Sequence, residues 1–150
     1  MSLRGFEIVK EYQNKNISLP VRKTACSAGY DIEAAADYVI HPGEVVLVAT
    51  GLKAYMQDDE YLGLHVRSSL AIKQKIAFIN CQGIIDADYY NNPKNEGHIM
   101  LALVNHGSED VKLKKGMRVA QGIFYKYLVV DGDEAGKGAV RDGGFGSTGA

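Results

Sequence analysis

Short runs rich in Val, Ile and Tyr, each closed by glycine or another turn signal, dominate this chain, and little in it reads as helix. The runs are Glu7-Ile8-Val9, Tyr38-Val39-Ile40, Glu44 to Thr50, Tyr61 to Val66, Ile76 to Asn80, His98 to Asn105 and Met117 to Val130. Branched and aromatic side chains fit a pleated, half-buried surface, so such runs between turns predict strands. His41-Pro42-Gly43-Glu44 and Lys114-Lys115-Gly116-Met117 are two of the turns. Seventeen glycines in 150 residues exceed the ordinary share of roughly 7%. An apolar stripe at i, i+3, i+4 is hard to find, and only Leu70 to Lys75 predicts a short helix. Many short strands at regular spacing predict an all-β fold, a jelly-roll-like barrel or sandwich. A chain of 150 residues is one ordinary domain and can bury most of its apolar surface without staples.

Charge and cysteine usage remove several function classes. The formal net charge is -1, so there is no basic excess to hold a polynucleotide backbone. No apolar run reaches the length of a membrane span, the longest compact one being Val45 to Ala49. Met1 to Gly5 carries no apolar signal core, and a cytoplasmic protein is expected. Cys26 and Cys81 read as two reduced thiols. His41, His65, His98 and His106 are scattered, and no CxxC or HExxH spacing predicts a protein-held zinc.

The last twenty residues differ from the rest. From Asp131 to Ala150, seven of twenty residues are glycine, and Val140 and Phe145 are nearly all that could pack in a core. The segment predicts a mobile arm, 131–150, beyond a folded body, 1–130. Gly143-Gly144-Phe145-Gly146-Ser147-Thr148-Gly149 sets one aromatic among residues suited to cradle phosphate. Glycines let backbone N–H groups approach an anion, and the hydroxyls add donors.

Three further strings could carry chemistry, and each has two readings. Arg67-Ser68-Ser69 follows a strand and opens the candidate helix: a phosphate site, or a serine N-cap beside a surface arginine. Asn80 to Tyr89 leads an apolar strand into a turn with Asp86 and Asp88 at i, i+2, on one side if the strand continues. One acid could activate water while the other pairs with an arginine; alternatively both are solvated acids of an Asx-rich turn. Arg118 to Phe124 is an alternating strand whose arginine either forms a structural ion pair or touches substrate.

Taken in order, the strings resemble the five motifs of the trimeric dUTPases. These are Ala28-Gly29-Tyr30-Asp31-Ile32, Arg67-Ser68-Ser69, Gly83-Ile84-Ile85-Asp86-Ala87-Asp88-Tyr89, Arg118-Val119-Ala120-Gln121 and the Gly143 to Gly149 string. The likeness spans about Ala28 to Gly149. It implies a β jelly roll in a homotrimer, with three active sites at subunit interfaces and the arm completing a neighbouring site. The activity implied is hydrolysis of dUTP to dUMP and pyrophosphate, lowering dUTP and supplying dUMP for thymidylate synthesis.

Residue by residue, the resemblance implies that Asp86 orients and deprotonates the water attacking the α-phosphorus. Arg67, Ser68 and Ser69 would cradle the phosphates, with Gln121 reaching the same chain. Mg²⁺ would ride on the triphosphate and waters, with no protein ligand. Asn80 and the backbone of Gly83, Ile84 and Ile85, in a hairpin, would pair with uracil, and Met100 would lie near the base. Tyr89 would wall the deoxyribose, and Phe145 would stack on the uracil. Arg141, Gly146, Ser147 and Thr148 would reach the phosphates from the arm. Asp31 and Arg118 would support neighbouring loops.

The chain departs from the family pattern in three places. Tyr90 to Glu96 lengthens the turn after Tyr89, with His98 in place of the usual acid. Val140 stands where the last motif has arginine, with Arg141 one residue late, and Gly122 stands where an aliphatic residue is common. Two other functions compete. A dCTP deaminase of the same fold needs a glutamate at the base, where this chain has Ala102. A non-catalytic nucleotide-sensing or protein-binding module has no need of Asp86.

Overall fold

A computed structural model describes residues 1–135, 140–146 and 148. The strands are β1 Gly5–Ile8, β2 Tyr30–Glu33, β3 Tyr38–Ile40, β4 Val45–Ala49, β5 Leu52–Tyr55 and β6 Glu60–Val66. They continue with β7 Ile76–Phe78, β8 Gly83–Asp86, β9 Met100–Asn105, β10 Val111–Leu113 and β11 Arg118–Lys126. The single α-helix described, α1, spans Ser68–Gln74 between β6 and β7. Lys75 ends it in a left-handed conformation, φ 58°, with its N–H donating back to Ala71 O at 3.0 Å.

Two larger sheets face each other. One has the order β2-β11-β6-β8 and the other β4-β9-β7, while β1-β5 and β10-β3 form two-stranded ribbons. The pairings between named strands are antiparallel. The architecture is a jelly-roll sandwich, and among the described residues no sheet closes into a barrel. Alternation decides what is inside. Ile32, Leu62, Leu64 and Val119 from the first sheet meet Val48, Ile76, Phe78, Leu101 and Leu103 from the second in one core. Gly122 fits here because its neighbours already fill the space: a Cβ on it would stand 3.0 Å from Leu62 Cδ1 and 3.4 Å from Ile32 Cδ1.

Two details decide where the site lies. Asp86 ends β8 and pairs in register with Tyr61 at the start of β6. The chain then turns into a single 3-10 turn, Ala87–Tyr89, so the strand does not continue to Asp88. Gly83–Asp86 pairs with β6 in one sheet, while Ile76–Phe78 pairs with β9 in the other. The expected hairpin is therefore a corner between sheets, turned by Cys81 at φ 69° and by Cys81 N–H donating to Phe78 O at 3.1 Å.

Candidate active site

β8 is the edge strand of its sheet. Its inner edge bonds β6, and its outer edge presents backbone N–H and C=O groups with no sheet partner. A pocket of about 220 Å³ opens along that edge. It is lined by Asn80, by Gly83, Ile84, Ile85 and Asp86, by Tyr89, and by Met100 and Ala102 of β9. Met100 and Ala102 reach it because they alternate with the buried Leu101 and Leu103. Leu64 and Phe78 make its apolar floor. Sequence reading missed these two floor residues, since a pocket floor and a core carry the same apolar signal. Ala102 puts a methyl group where a deaminase needs a carboxylate.

The arm reaches the same pocket of the same chain. Arg141, Gly144 and Phe145 line it. Arg141 Nη2 lies 2.6 Å from Asp86 Oδ2, and its Nε lies 2.6 Å from Asp88 Oδ1. One planar guanidinium thus clamps both carboxylates, a geometry that lysine could not reproduce. Asp86 and Asp88 are not free acids of a turn, although the strand ends between them. Gly144 sits against the Tyr89 ring: a Cβ there would come 2.9 Å from Tyr89 Cε1, so only glycine allows this approach. Phe145 stays 71% exposed at the rim. Gly146 and Thr148 are exposed and do not line the pocket, and Ser147 lies outside the described residues.

The remaining motif residues gather elsewhere. Arg118 on β11 lies 3.3 Å from Asp31 on β2, the acidic partner expected for it. Arg67 Nη1 donates to Arg118 O at 3.4 Å. Gln121 pairs in register with Asp31, and Ser68 and Ser69 are exposed at the start of α1. Arg67 takes the N-cap position with no side-chain cap bond, so the serine-cap reading of this string is not what forms. Asp86 is level with Tyr61, and Arg67 comes one residue after β6 ends. The stretch of β6 between those points covers about 20 Å at roughly 3.3 Å per residue. Asp86 and the Arg67 cluster of one chain are therefore far apart along a single strand.

The insertion after Tyr89 is tightly built. Glu96 holds Lys53 Nζ at 2.7 Å, and Lys53, only 8% exposed, also donates to Asn91 Oδ1 at 2.6 Å. Lys94 N–H donates to Asp142 O at 3.1 Å, so the loop also touches the arm. His98 Nε2 accepts the Gly51 N–H at 2.9 Å, which requires the neutral ring. Burial lowers the pKa of His98 below its ordinary value. A depressed histidine stabilises the fold above its unfolded pKa, and that stability is lost as pH falls through the folded value. Melting temperature should thus decline below about pH 6.5, and His98→Gln, which can still accept the Gly51 N–H, should flatten that decline. One proton contributes at most about 1.4 kcal/mol per pH unit. His41 has the opposite sign, its pKa raised by the hydrogen bond to Asp110, but it is exposed and screened. An acid slope that is unchanged in His98→Gln would rule out His98 as its source.

The ordered motifs therefore sit on one fold as an edge-strand pocket and a separate arginine-serine cluster. The dUTPase family profile matches residues 15–149. The chain belongs to the dUTPase family. This dUTPase is 53% identical over 150 residues to the deoxyuridine 5'-triphosphate nucleotidohydrolase of Lactococcus lactis subsp. lactis, covering 100% of both chains. It is 39% identical to the Rickettsia felis protein of the same name, over 94% of this chain and 95% of that one. The crystal structure of dUTPase from Streptococcus mutans superimposes with a TM-score of 0.80 at 48% identity, covering 85% of this dUTPase and 99% of that chain.

Proposed function

We propose that this dUTPase hydrolyses dUTP to dUMP and pyrophosphate by water attack on the α-phosphorus, in sites shared between three copies of the chain. The observation that carries this is the common pocket of Asn80, the outer edge of β8, Tyr89 and Asp86. Asn80 and the unpaired backbone of Gly83 to Ile85 read the uracil edge. A cytosine would leave buried donors facing donors, and such mismatches are strongly rejected. Met100 lies under the base. Phe145, carried on the arm of a neighbouring copy, closes over it. Tyr89 forms the sugar wall, and Asp86 at the strand end holds and deprotonates the attacking water.

The phosphate cradle is Arg67, Ser68, Ser69 and Gln121, supported from behind by the Arg118–Asp31 pair. The span of roughly 20 Å along β6 supports a cradle supplied by a second copy. Leu128, Val129 and Val130 are 97%, 66% and 76% exposed, an apolar run that supports contact with another chain. The arm carries Arg141, with Gly146, Ser147 and Thr148, to the phosphates of a neighbouring site, and in the free chain the Asp86–Asp88 pair holds the same guanidinium. Among the described residues no three His, Cys, Asp or Glu side chains could hold a metal ion. Mg²⁺ would arrive on the triphosphate oxygens with its waters. When bound, it holds the phosphates in a reactive pose and spreads their charge. No helix among the described residues is long and apolar enough to cross a membrane, and we place the work in the cytoplasm.

Pyrophosphate release across dUTP, UTP and the four ordinary dNTPs tests this reading. Release from dUTP alone supports it. Uracil nucleotides formed from dCTP would favour the deaminase, which Ala102 in the pocket argues against. Binding without turnover would favour a sensing module. Sugar choice has its own test: Tyr89→Ala should raise UTP turnover relative to dUTP. An unchanged ratio of the two kcat/KM values would remove Tyr89 as the sugar wall.

A further inference from the structure

Tyr89 is 6% exposed, and its hydroxyl is held from both sides. It donates to His98 O at 2.7 Å and accepts from Asn95 Nδ2 at 2.9 Å. The direction of this relay is fixed by the rest of the Asn95 amide. Asn95 Oδ1 accepts from Asn92 Nδ2 at 2.7 Å and from Gly97 N–H at 3.0 Å, so Nδ2 is the end left to face Tyr89. Asn92, itself 5% exposed, also donates to Tyr89 O at 2.8 Å, and its Oδ1 accepts the Lys94 and Asn95 N–H groups. Gly97 closes the loop at φ 85°, where a Cβ would come 2.8 Å from Tyr89 O. Glu96 anchors the far side on Lys53. Both ends of Tyr89, backbone carbonyl and phenol oxygen, are thus tied to this one loop.

We infer that the insertion is a brace for the sugar wall, and that Asn95 is the positioning residue that sets the pose of the Tyr89 ring and so sharpens the choice of dUTP over UTP. This rests on reading Tyr89 as the sugar wall. A ring held at the phenol oxygen cannot tilt to admit a 2′-hydroxyl, whereas a ring released there can. Both amide ends of Asn92 and of Asn95 have hydrogen-bond partners, which is what makes such a brace stiff. The hydrogen bonds of Asn95 run to Asn92, Gly97 and Tyr89, away from Asp86 and the pairing edge of β8, so the effect should fall on discrimination.

The test compares kcat/KM for dUTP and for UTP in the parent, Asn95→Ala, Tyr89→Phe, the double variant and Tyr89→Ala, with melting temperature measured separately. Asn95→Ala and Tyr89→Phe should each lower the dUTP:UTP ratio about tenfold, the range of one hydrogen bond, chiefly by raising kcat/KM for UTP. Because Tyr89→Phe already removes the bond that Asn95→Ala removes, the double variant should be no worse than Tyr89→Phe alone. A parent-like ratio in either single variant, or multiplying effects in the double, would overturn the brace. If Tyr89→Ala lowers the ratio while both single variants leave it unchanged, the brace falls and the sugar wall stands. If Tyr89→Ala leaves the ratio unchanged, the wall falls and the brace with it. Should Asn95→Ala fail to fold, Tyr89→Phe decides, since it removes the phenol bonds and leaves the loop's other hydrogen bonds in place.

Discussion

Asp86→Asn should bind dUTP nearly as well as the parent and turn it over about 10²–10⁴-fold more slowly, the range ascribed to a lost general base. The side chain sits at the end of β8, and register with Tyr61 fixes its backbone. Asparagine keeps the shape and one oxygen for Arg141, which Asp88 also holds at 2.6 Å, so the pocket should survive the change. What disappears is the carboxylate proposed to take the proton from water. Binding of a non-hydrolysable dUTP analogue, measured beside kcat, separates the two effects. Turnover within a few-fold of the parent would remove Asp86 as the base, and a collapse of binding would make it a structural residue.

A chain ending at Asp131 should fold much as before and lose nearly all hydrolysis, on the order of 10²-fold or more, as expected when positioning and water exclusion fail together. Every member of the hydrophobic core, and every side chain packed on it, lies at or before Phe124, so the truncation removes none of them. It does remove Arg141 from the two carboxylates, Gly144 from the Tyr89 ring and Phe145 from the pocket rim. Ordering a glycine-rich segment costs entropy that bound triphosphate and base can offset. Amide exchange along the arm of the full chain should therefore slow when the analogue and Mg²⁺ are added. A truncated chain with full activity, or arm exchange indifferent to saturating analogue, would reduce the arm to a tail.

Much of this was legible in the chain before folding, and the exceptions have physical causes. Tyr38–Ile40 is a strand as read, the run from Tyr61 is β6 without its first residue, and the run from Met117 contains β11. β2, β5 and β10, with three or four residues each, were not read as strands. Their identity comes from pairing with partners far along the chain, as Leu52–Tyr55 does with Gly5–Ile8, and no local window contains that. The helix begins two residues earlier than Leu70 because Ser68 and Ser69 complete its first turn. For the site, the string from Gly83 to Tyr89 was legible as a candidate because edge backbone, acid and aromatic are contiguous, and the fold brings them to one pocket. The distance between Asp86 and Arg67 was invisible, being set by the register of β8 on β6. The insertion was visible only as extra length, because Asn92 and Asn95 look like loop residues until their amides are seen to close on Tyr89.

Hydrolysis of dUTP in water enriched with ¹⁸O tests the central claim most directly. Attack on the α-phosphorus by a water held at Asp86 puts the label in dUMP and leaves pyrophosphate unlabelled. Label in the pyrophosphate, or release of dUDP and phosphate with no dUMP formed, would contradict the account.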